Sequence, residues 1–289
     1  MGCQENAKVG EKDAETHFAQ YSYSLSEGEN TFDLMFFSNV SLEEKWTMDN
    51  ISGVVLSVGD DGYQADLLSV NVSNEQIYDE YYMGTVSLSA ELPAKSGQLS
   101  LECTFRNEGI TEQYSLGIAS VQEVDIDDEI ILNAVSGGVV KSDDSGAVNN
   151  YGLILHIDVA DSINILKLDL GLEEVGLDLA DAIIYSEEEY HSGIYDAICD
   201  CTFDSYVEDC YKEKLAATIS DTSLEVKTGE YYIYVPITRM SEETPQLVTG
   251  TIKINYKLDE NVLSYTAVTS PYFSEYTKSE EYLKQMFGE

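Results

Sequence analysis

GQLSLECTF, residues 97–105, decides the fold class. Leu99, Leu101, Cys103 and Phe105 alternate with Gln98, Ser100, Glu102 and Thr104, so apolar side chains recur at every second position. A period of two places all four on one side of an extended strand, whereas a helix would need spacings of three and four. One dry face and one wet face mark a strand of an antiparallel sheet packed on one side only. GTIKINYKL, residues 250–258, repeats the pattern with Ile252, Ile254, Tyr256 and Leu258.

Outward from these two stretches the chain keeps the same character. Short runs rich in Val, Ile, Leu, Tyr, Phe and Thr, such as TFDLMFFSNV, ISGVVLSVG, YGLILHIDVA and NVLSYTAVTS, are separated by Gly, Asn, Asp and Ser clusters. That is the signature of an all-β chain of antiparallel β-sandwiches. A helix is signalled at the C-terminus, in TKSEEYLKQMFGE (277–289): Thr277 and Glu280 fit a capping box, and Tyr282, Leu283, Met286 and Phe287 mark an apolar side. It is expected to pack on the second half of the chain or to fray.

The halves resemble each other. ISGVVLSVGDDGYQADLLSVNV (51–72) and INILKLDLGLEEVGLDLADAII (163–184) share Ile51/Ile163, Leu56/Leu168, Gly59/Gly171, Asp66/Asp178 and Leu67/Leu179 at a shift of 112. The two opening stretches correspond at a shift of 153, which leaves 41 more residues in the second half. This reads as a duplicated β-sandwich. Two unrelated strand-rich halves sharing generic alternation is the competing reading. The expected layout is a flexible tether over 1–15, a β-sandwich over 16–126, and a second over 127–289 that carries an insertion at about 186–214 and the C-terminal helix.

Composition narrows the function. Fifty-four acidic against 15 basic residues give a net charge of −39 and a pI near 4.1. Such a field repels nucleic-acid phosphate and anionic membrane surfaces, which sets nucleic acid aside as a partner. A hydrophobic fraction of 43% is enough to build cores, so the chain is no disordered polyanion. No apolar run approaches the roughly 20 residues that span a bilayer. Motifs of common enzymes are missing: no GxSxG, HExxH, P-loop or GxGxxG occurs, and there are three histidines, His17, His156 and His191. His17 and His156 fall in strand-like runs, where a hydrogen-bonded sheet residue is the default. With Trp46 the single tryptophan, an aromatic-lined glycosidase cleft is poorly supplied.

The densest chemistry lies in the insertion: Cys199, Cys201 and Cys210, with acidic residues and Tyr190, Tyr195, Tyr206 and Tyr211 around them. A disulfide Cys201–Cys210 or Cys199–Cys210 would close a short loop, and the remaining cysteine could reach Cys103, with Cys3 the odd one of five. A zinc site from three thiolates with His191, and plain reduced cysteines, are the other two readings. The four tyrosines are candidate binding-surface residues, because tyrosine combines rigid apolar area with a polar tip and loops on rigid scaffolds carry recognition. Acidic turns raise calcium, foremost at Asp125, Asp127, Asp128 and Glu129 in QEVDIDDEI (122–130), although no EF-hand series is spelled. Solvated turns account for the same residues, and no cofactor is expected beyond that ion.

Gly2-Cys3, followed by a polar tether and then compact β structure, resembles the start of a mature bacterial lipoprotein. The resemblance implies lipid attachment at Cys3, an exported chain whose signal peptide has been removed, and a place on the extracellular face of a bacterial membrane. The tandem β pattern also resembles the immunoglobulin-like modules of Gram-positive surface lipoproteins, which implies a binding role without catalysis. The expectation is a lipid-anchored binding or adhesion module for an extracellular protein or glycan. A calcium- or carbohydrate-binding accessory module is the runner-up, and a glycan-active hydrolase with an unrecognised acid pair is the alternative of another class.

Overall fold

The computed structural model describes residues 14–41, 44–78, 81–126, 129–142, 148–191, 223–239, 246–273, 283–284 and 286–288. The chain is all-β, as the alternation predicts. Its first half forms β1 (Thr16–Phe18), β2 (Tyr21–Ser26), β3 (Gly28–Ser38), β4 (Ile51–Val58), β5 (Asp61–Tyr78), β6 (Tyr81–Leu92), β7 (Ser96–Phe105) and β8 (Ile110–Gln122). One layer runs β1-β3-β6-β5, and the facing layer runs β4-β7-β8-β2. β5 turns the corner between them, pairing β4 through Asp61–Gln64 and β6 from Ala65 onward. Two such layers, with the first strands split between them, form an immunoglobulin-like sandwich.

Leu99, Leu101, Cys103 and Phe105 of β7 are all fully buried, on the inward face that their spacing assigns. Opposite them, Phe32, Leu34 and Phe36 of β3 and Val86 and Leu88 of β6 close the same core. Trp46 sits at its centre: its ring stacks on Phe36 at 4.7 Å and meets Phe105 edge-on at 5.2 Å, joining the layers.

The second half adds β9 (Ile130–Ser142), β10 (Val148–Val159), β11 (Ile163–Asp169), β12 (Val175–Leu177), β13 (Ile183–Ser186), the short helix α1 (Glu187–Glu189), β14 (Leu224–Val226), β15 (Gly229–Arg239), β16 (Gln246–Leu258) and β17 (Asn261–Phe273). β9, β10 and β15 form one layer, with β12 and β13 both on β15; β14, β11, β16 and β17 form the other. Leu153, Leu155, Ile157, Ile233 and Val235 meet Ile163, Ile165, Ile252, Ile254 and Tyr256 in a second core. Positions that correspond in sequence pair alike. Leu56 pairs with Leu101 across β4 and β7, and their counterparts at shifts of 112 and 153, Leu168 and Ile254, pair across β11 and β16.

The sandwiches share a sheet. β2 runs parallel to β8 on one side and to β16 on the other. Adjacent residues of β16 then serve different cores, Leu247 the second and Val248 the first. Tyr21, Tyr23 and Leu25 of β2 fill the first core, while Ser22, Ser24 and Ser26 are buried on the opposite face. The Ser24 hydroxyl lies 2.9 Å from the carbonyl of Leu170 and 2.5 Å from that of Thr251, which satisfies it out of water. Close approach of β2 depends on Gly117, at φ +114°, where a Cβ would stand 2.0 Å from the carbonyl oxygen of Tyr21.

The C-terminal segment corrects one expectation. Leu283 is fully buried in the first core, not the second, and Met286 and Phe287 pack beside it. Phe287 stacks on Tyr81 at 5.1 Å and meets His17 edge-on at 4.7 Å. Leu283, Met286 and Phe287 meet an aromatic corner at β1 and β6; sidedness alone does not say which core an apolar segment will meet. Among the described residues no helix is long and apolar enough to cross a membrane.

Candidate binding surface

The outer face of β9-β10-β15-β13 departs from the wet exterior that simple alternation predicts. Because Leu153, Leu155 and Ile157 point inward, Ile154, His156 and Asp158 point outward; on β15, Glu230, Tyr232 and Tyr234 do so for the same reason. Register then builds rows across the sheet. Ala134, His156, Tyr232 and Tyr185 stand side by side on four strands, and Ile131, Asp158 and Glu230 form the next row.

After β13 the chain turns through α1. A capping box closes its start, with Glu189 N donating to Ser186 Oγ at 3.3 Å and Ser186 N donating to Glu189 Oε2 at 2.9 Å. This turn carries Tyr190 onto Tyr232, with the rings parallel at 3.7 Å. His156 is also parallel to Tyr232, at 4.2 Å. Two rings so close to one centroid cannot share a side, so Tyr232 is held between them in a three-ring stack. His191 meets the edges of Tyr190 and Tyr232 at 5.4 and 5.6 Å, with its Nε2 3.4 Å from the Tyr232 hydroxyl. Ile154, Ile183, Tyr185, Tyr190 and Tyr234 are buried yet belong to neither core, so this face carries a layer of packing of its own.

The electrostatics are one-sided. Glu230 Oε1 lies 2.5 Å from His156 Nε2. Burial, then the negative charges of Glu230 and Glu187, hold the Tyr232 hydroxyl above its ordinary pKa, and burial pushes Tyr234 up to about 12. No lysine or arginine occurs in residues 130–135, 152–159, 183–191 or 229–238, which supply the described part of the face. Chemically, the arrangement offers fixed ring area and hydrogen-bond acceptors.

Of the residues singled out from sequence, Tyr190 is brought into this stack. Tyr195, Tyr206 and Tyr211 lie outside the described residues, as do Cys3, Cys199, Cys201, Cys210, Asp127 and Asp128. Cys103 is a buried free thiol, so the expected bond from it to the insertion is not formed. Its inward position on β7 seals the sulfur in the first core, and burial raises its pKa to about 12. The Asp125 carboxylate accepts from Ser264 Oγ at 2.9 Å and its carbonyl accepts from Thr266 N at 2.6 Å, tying the connection between the sandwiches to β17. The Glu129 carbonyl accepts from Ala160 N at 3.1 Å. Among the described residues no three or more potential metal ligands cluster. His156 is the hydrogen-bonded sheet residue that its strand-like run predicts, with Glu230 as its partner; its place in the stack, and Glu230 itself, escaped the sequence reading, although alternation in YGLILHIDVA already turns His156 away from the core.

Comparison with known proteins adds little. No family model matches the chain, and no curated protein does. Among solved structures it is similar to a crystal structure of chicken TCR, with 9% identity, 89% of this chain and 98% of that chain covered, and a TM-score of 0.23. The fold assignment rests on the strand pairing.

Proposed function

We propose that the protein is a non-catalytic binding or adhesion module, held by lipid at Cys3 on the extracellular face of a bacterial membrane, that takes a protein partner on the outer face of the second sandwich. The observation that carries the reading is the Tyr190–Tyr232–His156 stack. Rings fixed by strand pairing and by one another lose little entropy on contact, which is the property recognition surfaces exploit. The absence of cations from the described face, within a chain of net charge −39, favours a partner with a basic surface. A glycan suits the site less well, since both faces of Tyr232 are already covered.

The test uses the soluble chain on an array of purified extracellular proteins and on a glycan array. Binding to at least one protein is expected, weakened roughly tenfold or more by Tyr232→Ala and by high salt. Protein signals indifferent to Tyr232→Ala, or hits confined to glycans, would overturn the reading. Metabolic labelling with palmitate, lost in Cys3→Ser, tests the anchor.

A further inference from the structure

The stack ends abruptly. Its rings step across the sheet at about the strand spacing, Tyr190 to Tyr232 to His156. The next position in the row, on β9, is Ala134, which is exposed and has no ring. The second face of His156 therefore meets no ring among the described residues, and its side chain stays 21% exposed. Beside this gap the pairing of β9 with β10 slips between His156 and Ile157, so that Asn133 becomes an extra residue and β9 carries a bulge. On the far side of the bulge Ile131 is 53% exposed, the large apolar side chain most open to water on the described part of this face. Its cross-strand neighbour is Asp158, an exposed carboxylate opposite Glu230, with like charges directly facing.

We propose that this gap is a slot for an arginine of the protein partner: the guanidinium lies on the open face of His156, the aliphatic stem covers Ile131, and the N–H fork donates to Asp158. The assignment rests on the binding-surface reading and names what that surface grips. Each part of the slot selects for arginine. A planar, delocalised cation stacks on a ring, while the compact, strongly hydrated ammonium of lysine does so less well. A carboxylate that faces another across the sheet gains most from a bidentate cation. A sugar would need donors as well as acceptors, and the slot supplies a ring, an apolar side chain and carboxylates.

The experiment follows the ring signals of the histidines by NMR in the soluble chain, assigned through His→Gln variants of the three. The probes are acetyl-Gly-Arg-Gly-amide, acetyl-Gly-Lys-Gly-amide and chitotriose. The arginine peptide is expected to shift the His156 signals saturably, and the lysine peptide to need about fivefold more for the same effect. Ala134→Trp, which fills the gap, should weaken the response roughly tenfold or more while the His191 signals keep their positions, reporting an intact stack. Asp158→Asn should weaken it about fivefold. Equal effects of the two peptides, a response that survives Ala134→Trp, or shifts caused by chitotriose instead would each overturn the slot. Partner binding that is lost in Tyr232→Ala but kept in Ala134→Trp would sink the slot alone and leave the wider reading standing.

Discussion

Replacing Gly117 by alanine tests how β2 is fastened. At φ +114° an L side chain costs about 1–2 kcal/mol in backbone strain alone. The added Cβ would stand 2.0 Å from the Tyr21 oxygen, 2.8 Å from its nitrogen and 2.9 Å from its carbonyl carbon, so β2 must retreat by about 1.4 Å to reach ordinary contact. That retreat disturbs the parallel pairing of Tyr21–Ser26 with β8, where each lost hydrogen bond costs about 1 kcal/mol. Together these give about 3–5 kcal/mol, or roughly a 6–15 °C fall in Tm for a chain of this size. Gly109→Ala is the control: φ is +65°, but nothing lies within 4 Å of its added Cβ, so only about 1 kcal/mol is expected. Calorimetric melts and urea titrations of both variants decide the matter. Equal losses for the two would refute the idea that the approach of β2, and not backbone strain, is what Gly117 permits.

Burial by itself would raise the Glu112 pKa, but hydrogen bonds from Lys45 Nζ, at 2.6 Å, and from the Tyr114 hydroxyl outweigh it and hold the carboxyl below its ordinary value. Its contribution is therefore full above the unfolded carboxylate pKa of about 4.3 and lost as pH falls through the lowered folded value. The Tm gap between the parent and Glu112→Gln should stand at pH 7 and close in strong acid; a gap that widens on acidification would contradict the assignment. Cys103 should resist alkylation in the native protein and label fully in denaturant, as read by mass spectrometry of its peptide; rapid native labelling would mean that the core is open. Phe287→Ala should cost about 1–2 kcal/mol and speed amide exchange in β1 and the start of β6. Unchanged exchange there would show that the C-terminal segment does not hold that corner.

The strands were the legible part, because alternation records which face is dry. β7 realises it fully, and β16 keeps Ile252, Ile254 and Tyr256 inside while Leu258 is half-buried near the hairpin turn. β2 shows where the method stops. YSYSLS looks like a one-sided strand, yet its serines are as buried as its tyrosines, since parallel partners from both sandwiches close it in. Hydroxyls satisfied by distant carbonyls such as Leu170 leave no trace in local pattern. The candidate surface was legible by half. Tyrosine density in the insertion pointed to Tyr190, but the ring it covers, Tyr232, takes its other partner from a histidine 76 positions earlier. That meeting is set by the β10–β15 register, which follows from tertiary pairing and not from neighbours in sequence.

The shared strand also has a mechanical meaning. A pull on the chain ahead of Thr16 reaches β2 after β1, and β2 is fastened on both flanks by neighbours running in its own direction. Tension along its axis slides it lengthwise against β8 and β16, so the bonds on each flank bear the load together instead of opening one after another. On the proposed anchoring at Cys3 and the proposed grip at Asp158, the drag of a partner would pass between the two sandwiches through Tyr21–Ser24, the part of β2 that is paired on both flanks. The stretch that joins the sandwiches is thus also where a stretched adhesion would be expected to hold, or to fail.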